Sequence, residues 1–419
     1  MYSIAARGRA PWRNRRRLGG EKVTARVAVE REIEQLREQL PAVHATGYFN
    51  AGTNGPLPRV AHEALVETAT ADLEFGRIVP GVYDRNGVRN RRVAAAFAEI
   101  AGVDEDEIAL AHSTTEGIGC VLNGFAWQRG DEIVTTNLEH PGLLAPLALM
   151  ARRAGTITRF ANIGRGEGDV VGQIAAAMTP RTKMIALSHL QWSSGAVMPL
   201  AEIAALAREW HAFVLVDGAQ STGQIPLDLH AIGVDAYAMP GQKWLCGPEG
   251  TGAFYIRRDR MADVAPTYLR YADWQESGYL LPKPGAHRYE IGEFNGPTMA
   301  ALDATLAWLR DEVGLDWAYA RTAALGARFW DALAGIDGVQ LLTPRRRMAG
   351  LVNFMVEGMA PQDVAAALFD RRMTIRYVVT HPCPASARAS IAWWNTADEV
   401  DRLADAVADL VAESRARPE

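Results

Sequence analysis

The chain has few cysteines and no long hydrophobic run. Only three of its 419 residues are cysteine, Cys120, Cys246 and Cys383, and no CxxC pair is present. This spacing excludes a disulfide framework and the usual zinc sites, so we expect no metal. No stretch approaches the roughly 18 apolar residues that a membrane span needs. We therefore expect a protein of the reducing cytoplasm.

The chain also has no excess of charge of one sign. It has 44 basic and 49 acidic residues, which gives a formal net charge of −5. This balance gives no electrostatic reason to bind nucleic acid or an anionic membrane. The chain is 48% hydrophobic and longer than one core usually holds, which predicts two or three packed units. A small-molecule substrate is the expected partner.

The N-terminal residues 1–27 are rich in arginine but lack the apolar segment of a secretory signal. We expect a disordered tail here, or a start codon placed too early, with translation beginning at Val23. The mass of the protein made from its native gene distinguishes the two. Residues 28–45 follow with apolar residues at helical spacing and predict an N-terminal helix that meets Pro41.

Short apolar runs and helical patterns alternate from about residue 46 to residue 305. This order predicts an α/β domain with a large, doubly wound, mostly parallel sheet. A smaller α+β domain is expected over residues 306–419. A long helical region at about 297–335 would connect the two domains. Ligands of doubly wound sheets collect at the carboxyl ends of the strands. The residues with candidate chemistry also follow predicted strands.

An aspartate and a lysine end two of these strands. Asp217 closes the apolar run "VLVDGAQ", and a buried carboxylate needs a positive or hydrogen-bonding partner. Lys243 ends "DAYAMPGQKW", and a lysine amine becomes nucleophilic only when its pKa falls far below about 10.4. Taken singly, Asp217 has a turn cap as its less favoured alternative, and a loop lysine such as Lys243 is more often a solvated charge.

Two further strands are followed by a candidate anion site and a histidine. Thr114 and Thr115 lie in "HSTTEGIG" at a helix start, where free amides and the helix dipole favour a phosphate. An ordinary helix cap is the simpler alternative. His140, in "NLEHPG", could stack on a planar ring or transfer a proton. A lone histidine is more often a packed polar residue.

Over residues 46–412 the sequence resembles the fold-type I pyridoxal-phosphate enzymes, specifically the class V aminotransferase and cysteine desulfurase group. The likeness lies in "YFNAGTNGPLP", "NLEHPGLLA", "VLVDGAQS" and "QKWLCGPEGTGAFYI". Within the group the chain is most similar to cysteine/cystine carbon–sulfur lyases. The resemblance implies the aspartate aminotransferase-like fold, pyridoxal 5'-phosphate as cofactor, and a homodimer with sites near the subunit interface.

The resemblance also implies roles for individual residues. Lys243 would form the Schiff base, Asp217 would face the pyridine nitrogen, and His140 would stack on the ring. The remaining cofactor residues would be Thr114, Thr115, Gln220 and Gln242, and the substrate residues would be Arg388 and Asn54. Whether Arg376 or Arg388 clamps the substrate carboxylate stays open.

The sequence departs from the pattern of its relatives at two places. Many relatives have serine and histidine just before the lysine, where this chain has Pro240 and Gln242, so that half of the phosphate grip is altered. In "RYEIGEFN", Glu293 replaces a threonine that reaches the partner subunit's phosphate in relatives. A carboxylate repels phosphate, so either Glu293 points away or Asn295 takes the role.

β-Elimination from cysteine, cystine or an S-substituted cysteine is the reaction we expect. Cys383 lies five positions before Arg388 between two prolines, and we expect it to be structural. A desulfurase that uses Cys383 is one alternative, and an aminotransferase or epimerase of a larger amino acid is another. Trp192, Trp393 and Trp394 would wall a roomy pocket in that case, or belong to the core. A non-catalytic binding protein with this fold is the last alternative.

Overall fold

The computed structural model describes residues 33–269, 284–379 and 383–416. In these residues, a seven-stranded and a four-stranded sheet form the centres of two α/β units. The prediction of a large, mostly parallel sheet with a smaller α+β part is confirmed. The basic residues 1–27 and the candidate start at Val23 lie outside the described residues.

The two main sheets contain most of the strands. The strands of the described residues are β1 Gly47–Tyr48, β2 Ile108–Ala111, β3 Glu132–Thr136, β4 Ile157–Ala161, β5 Thr182–Ser188, β6 Phe213–Asp217, β7 Ala236–Pro240, β8 Gly252–Ile256, β9 Val339–Leu341, β10 Leu351–Val356, β11 Met373–Thr374, β12 Arg376–Val378 and β13 Ser386–Ser390. The large sheet has the order β2-β8-β7-β6-β5-β3-β4. Strands β3 to β7 are parallel, and β8 runs antiparallel to both neighbours.

The edge strand β4 is absent from the sequence-based prediction. Only Ala161 of its five residues is buried and the others are exposed or half-buried, and "ITRFA" shows no apolar run. The central strands β3, β6 and β7 are instead buried along their whole length. Such strands are typical of a sheet covered on both faces.

Helices cover both faces of the large sheet. Besides the helical residues 33–38, the α-helices of the described residues are Ala42–Ala45, Arg59–Phe75, Val82–Ala101, Thr114–Gly124, Pro141–Arg153, Val170–Ala177, Leu200–Glu209, Leu229–Ile232, Gly296–Trp308, Leu315–Ala334, Pro361–Asp370 and Ala397–Ala416. A π-helical turn, Leu309–Val313, joins the helix Gly296–Trp308 to the helix Leu315–Ala334. No helix among the described residues is both long and apolar enough to cross a membrane.

The smaller sheet has the order β12-β13-β10-β9 and is antiparallel. The short strand β1 pairs in parallel with β11, so residues 47–48 join the C-terminal unit. The helix Gly296–Trp308 continues through residue 305, where the sequence suggested a domain boundary. The two units are therefore connected by the helix Gly296–Trp308, which is unbroken at residue 305, and by the pairing of β1 with β11.

The single helix expected over residues 28–45 is wrong in its continuity. Residues 33–38 are helical, and a separate turn, Ala42–Ala45, follows Pro41. Proline has no backbone N–H for the helical hydrogen bond, so the helix ends before it. Residues 28–32 lie outside the described part of the chain.

Candidate active site

The candidate residues gather along one edge of the large sheet. Parallel strands end at the same edge, and β2 is parallel to β7 because β8 is antiparallel to both. His140 follows β3, Asp217 ends β6, and Lys243 follows β7 after two intervening residues. Thr114 and Thr115 follow β2 and begin a helix there.

Lys243 lies in a tight turn packed against the loop "AGTNG". Its carbonyl oxygen accepts a hydrogen bond from Cys246 N (3.0 Å), and Gln242 O accepts one from Gly55 N (2.8 Å). A Cβ at Gly55 would come within 2.2 Å of Lys243 O, so this approach requires glycine. The lysine amine has no hydrogen-bond or ion-pair partner among the described residues.

The surroundings of Lys243 favour the uncharged amine. Burial lowers the pKa of Lys243 to about 8, a net value that the charge of Asp217 raises and the charge of Arg388 lowers. Since only the uncharged amine is a nucleophile or a base, the reactive form predominates above about pH 8 instead of above the usual value of about 10.4.

Asp217 is a buried carboxylate with few partners. Its Oδ1 accepts a hydrogen bond from Ala219 N (2.8 Å). Burial raises the pKa of Asp217, and the charge of Lys243 lowers it. A cation placed against this carboxylate would stabilise its ionised form. A protonated pyridine nitrogen is a group of this kind.

His140 caps the helix Pro141–Arg153. Its Nδ1 accepts a hydrogen bond from Gly142 N (2.9 Å), so the hydrogen of the neutral ring is on Nε2. Burial lowers the pKa of His140 to about 4, with Lys243, Arg388 and Arg376 adding to the shift. The ring is therefore uncharged at neutral pH.

The helix start that follows β2 has a serine cap, which is the ordinary helix cap named above as the alternative to a phosphate site. Ser113 Oγ, rather than a threonine, accepts the hydrogen bond from Glu116 N (3.1 Å). Thr114 is buried and Thr115 is exposed. A Cβ at Gly142 would come within 2.9 Å of Thr115 Oγ1, so this hydroxyl faces the start of the next helix.

The two glutamines and Asn54 differ in how far their amides are engaged. Gln220 Nε2 donates to Gly52 O (2.8 Å), and its Oε1 accepts from Trp244 Nε1 (3.1 Å), which leaves one N–H free. Gln242 Oε1 is buried without a partner among the described residues. Asn54 Nδ2 donates to Glu249 Oε1 (2.5 Å), so its amide is turned toward the Lys243 loop.

Arg388 is a buried cation without a carboxylate partner among the described residues. Its Nη2 donates to Thr53 Oγ1 (3.3 Å), and its Nε is buried and unpaired. Burial lowers the pKa of Arg388 to about 9, and the charge of Arg376 adds to this shift. Arg376 pairs with Arg388 in register but is exposed. Of the two arginines, Arg388 offers the dry site for a carboxylate.

The three tryptophans separate into two environments. Trp393 and Trp394 are buried, and Trp393 contacts the rings of Trp308 and Trp317. Of the two alternatives that the sequence left for Trp393 and Trp394, a pocket wall or the core, their burial matches the core. Trp192 instead lies edge-on to the His140 ring, with centroids 4.7 Å apart.

Cys383 lies beside this pair of rings. It is buried with Trp192 and Val378, and its Sγ is 3.9 Å from Glu139 O. Burial raises the pKa of Cys383, which disfavours the thiolate. Cys246 is fully buried beneath the Lys243 turn, and burial raises its pKa as well.

The segment that departs from the relatives' pattern faces solvent. Glu293 is exposed, and Asn295 caps the helix Gly296–Trp308 by accepting from Thr298 N (3.0 Å). Their roles at a subunit contact stay predictions.

The residues present fit a phosphate-bearing pyridine cofactor and an amino acid. Four buried groups of the described residues have few partners: the Lys243 amine has none, Asp217 accepts one backbone hydrogen bond, Gln242 Oε1 is unpaired, and Arg388 has no carboxylate partner. Buried polar groups usually have more complete pairing. Three of these groups lie at one edge of the large sheet and Arg388 lies on β13, and together they indicate a binding site.

Comparison with known proteins agrees with this assignment. The model of the family "Aminotransferase class-V" matches residues 85–403. A probable cysteine desulfurase 2 of Mycobacterium leprae is 32% identical over 380 residues, 85% of this chain and 84% of the relative. The cystine C-S lyase C-DES, in complex with its product cysteine persulfide, is 31% identical with a TM-score of 0.84, over 88% of this chain and 99% of that one. A C-DES variant with glycine covalently linked to the PLP cofactor has the same identity and TM-score, over 89% and 99%.

Proposed function

The chain belongs to the class-V aminotransferase family, and on that premise we propose that it is a pyridoxal 5'-phosphate-dependent carbon–sulfur lyase. The substrate would be cysteine, cystine or an S-substituted cysteine. The observation that carries the proposal is the pair formed by Lys243 and Arg388, an amine with a lowered pKa and a buried guanidinium without a carboxylate. This pair suits an α-amino acid. The likeness to a cystine C-S lyase favours a sulfur leaving group.

The overall reaction needs only water besides the substrate. The Cα–H and Cβ–S bonds break, the sulfur leaves as a thiol or persulfide, and hydrolysis of the remaining amino acid skeleton gives pyruvate and ammonia. When bound, the cofactor supplies an electron sink for the electron pair of the Cα–H bond. The protein's own residues then have to orient the substrate and move one proton.

We assign these tasks to four residues. Arg388 would bind the substrate carboxylate, and Lys243 would take the Cα proton, since its amine is uncharged above about pH 8. Asp217 would keep the pyridine nitrogen protonated. His140 would stack on the ring and, because Nδ1 is occupied by Gly142 N, donate from Nε2 to the leaving sulfur.

The phosphate would be held by the helix start at Thr114–Gly124 together with Thr115 and Gln242. The backbone amides at the start of this helix favour an anion. Gln242 can present an amide N–H in place of the histidine of relatives, and Gln220 has one N–H left for the phenolic oxygen of the ring. Asn54 would help to bind the substrate through its loop, in which the neighbouring Thr53 contacts Arg388.

A product screen tests the proposal. The purified enzyme is incubated with cysteine, cystine and S-methylcysteine, and pyruvate, ammonia and sulfide are measured together. We expect pyruvate and ammonia in equal amounts from at least one substrate. Alanine as the amino-acid product would indicate a desulfurase, and a D-amino acid would indicate an epimerase. A 2-oxo acid that forms only when a second 2-oxo acid accepts the amino group would indicate an aminotransferase. Absence of pyruvate from all three substrates would refute the lyase.

Replacement of Cys383 separates the lyase from a desulfurase. We expect Cys383→Ala to keep sulfur release within about twofold of the native enzyme, because a buried thiol with a raised pKa is a poor nucleophile. Cys120→Ala, at another buried thiol, is the control for a loss of packing. Loss of sulfur release in Cys383→Ala alone would establish Cys383 as a sulfur acceptor.

We also propose that the protein is a homodimer. Large apolar side chains are exposed where the helix Arg59–Phe75 ends and the helix Val82–Ala101 begins: Leu73, Phe75, Ile78 and Tyr83 are 85%, 69%, 81% and 63% exposed. Large apolar side chains that are exposed close together in the chain are typical of a protein interface.

Charged substitutions in this patch test the dimer. Leu73→Asp with Ile78→Asp should raise the dimer dissociation constant about 100-fold or more, since each buried side chain contributes about 1.5–3 kcal/mol. Light scattering after size-exclusion chromatography measures the mass. Phe369→Asp, at a 66% exposed residue of the C-terminal unit, is the control. A native protein that is monomeric at all concentrations would contradict the proposal.

A further inference from the structure

A buried carboxylate without a role in the proposed reaction directly precedes His140. Glu139 is fully buried, and its two oxygens accept four hydrogen bonds. Oε1 accepts from Thr136 Oγ1 (2.6 Å) and Gln191 Nε2 (3.0 Å), and Oε2 accepts from the backbone N (2.9 Å) and the hydroxyl (2.5 Å) of Ser188. Two carboxylate oxygens offer about four acceptor positions. All of them are therefore occupied by donors, as suits an ionised group.

These four hydrogen bonds join separate parts of the rim, by which we mean the edge of the large sheet where β2, β3, β5, β6 and β7 end. Thr136 is the last residue of β3, and Ser188 is the last residue of β5, opposite Asp217 in register. Gln191 directly precedes Trp192. One carboxylate thus connects two strand ends to the loop of Trp192.

The same carboxylate is one residue away from the ring that Trp192 contacts. The His140 and Trp192 rings meet edge-on at an interplanar angle of 83°. Ser193 Oγ also donates to Leu138 O (3.1 Å), which adds a second link between the two loops. The relative position of the two rings is therefore set by hydrogen bonds that centre on Glu139.

We propose that Glu139 is a positioning residue that holds His140 and Trp192 in a fixed arrangement at the cofactor site. It does not touch the reacting atoms and acts through the two rings. The inference rests on the proposed function, in which the ring of His140 stacks on the cofactor. Burial raises the pKa of Glu139 to about 7, and the donors from Ser188, Thr136 and Gln191 counteract this shift.

A second buried glutamate, at the other end of the strand that precedes Glu139, is a matched control. Glu132 begins β3 at the opposite end from the site and is also fully buried. Its carboxylate pairs with Arg159 (2.7 Å) and Arg181 (2.7 Å). Loss of this charge should weaken the fold without moving the rim.

The test compares Glu139→Gln with Glu132→Gln. An amide at residue 139 turns two N–H donors toward existing donors, so we expect His140 to lose its fixed position. In the apoenzyme, the ring ¹⁵N resonances of His140 should shift or broaden in Glu139→Gln and stay native in Glu132→Gln. In the holoenzyme, kcat should fall about 10- to 100-fold in Glu139→Gln with a smaller change in KM. The visible circular dichroism of the bound cofactor should change in parallel.

Two results would overturn the proposal. One is a Glu139→Gln enzyme with native His140 resonances, cofactor dichroism and kcat, and the other is the same set of changes in Glu132→Gln. If Glu139→Gln does not fold, Gln191→Met removes a single donor to Glu139. It should lower kcat about tenfold and change the His140 resonances and the cofactor dichroism in the same way. Native resonances, dichroism and kcat in Gln191→Met would also overturn the proposal. The apoenzyme resonances need no turnover, so this result is separable from failure of the lyase assignment.

Discussion

Replacing Lys243 with alanine is expected to abolish turnover, with kcat/KM lowered by at least about 10⁴-fold. Removal of a general base alone costs about 10²–10⁴-fold, and this substitution also removes the covalent attachment of the cofactor. The visible absorbance of the bound cofactor should shift to that of a non-covalent complex. Absorbance spectroscopy and the pyruvate assay measure the two effects.

The chain provides a control for this substitution. Lys183 lies on β5 but is exposed, so Lys183→Ala should leave both the spectrum and the rate native. The lowered pKa of Lys243, about 8, also predicts a direction with pH: cofactor addition to the apoenzyme should accelerate as the pH rises through about 8. Native turnover by Lys243→Ala would exclude the proposed mechanism. A native protein that binds the cofactor without turnover of any amino acid would favour the non-catalytic alternative.

Replacing Arg388 with methionine is expected to lower kcat/KM about 100-fold or more, mainly through KM. Removing one partner of a buried, hydrogen-bonded charge pair costs about 2–5 kcal/mol in binding. The free protein should not be destabilised, because this guanidinium has no carboxylate to lose among the described residues, and a buried charge replaced by an apolar group is often neutral or stabilising. Steady-state kinetics and thermal unfolding measure the two effects.

Arg37→Met is the matched control that distinguishes a loss of substrate binding from a loss of stability. Arg37 is also buried, but it pairs with Glu399 at 2.7 Å. Breaking this pair should cost about 3–5 kcal/mol of stability and leave KM native in the folded fraction. If Arg388→Met lost stability and kept its KM, Arg388 would be a structural residue, and the exposed Arg376 would become the candidate for the substrate carboxylate.

The fold and the central residues of the rim could be predicted because their signals are local. Asp217 and Lys243 each end an apolar run, and parallel strands bring such ends to one edge of a sheet. The helix Pro361–Asp370 likewise coincides with its apolar pattern. The exposed strand β4 has no such pattern, so the sequence did not reveal it.

The rest of the site depends on contacts between distant parts of the chain. The sequence left open whether Arg376 or Arg388 holds the substrate carboxylate, and only the folded chain buries Arg388 while it leaves Arg376 exposed. The contact of Arg388 with Thr53 joins residues that are 335 positions apart. Burial also assigns Cys383 to the packing beside Trp192, which its position near Arg388 in the sequence could not decide.

The sequence by itself determined the family, the alternation of buried strands with helices and the residues with candidate chemistry that follow those strands. The tertiary structure decided which charges are left without partners. Pairing and desolvation set whether a buried group is satisfied, and both depend on neighbours that the local pattern does not contain. Glu139 shows this most directly: its position in "NLEH" is visible in the sequence, but its four donors come from Thr136, Ser188 and Gln191 across two loops.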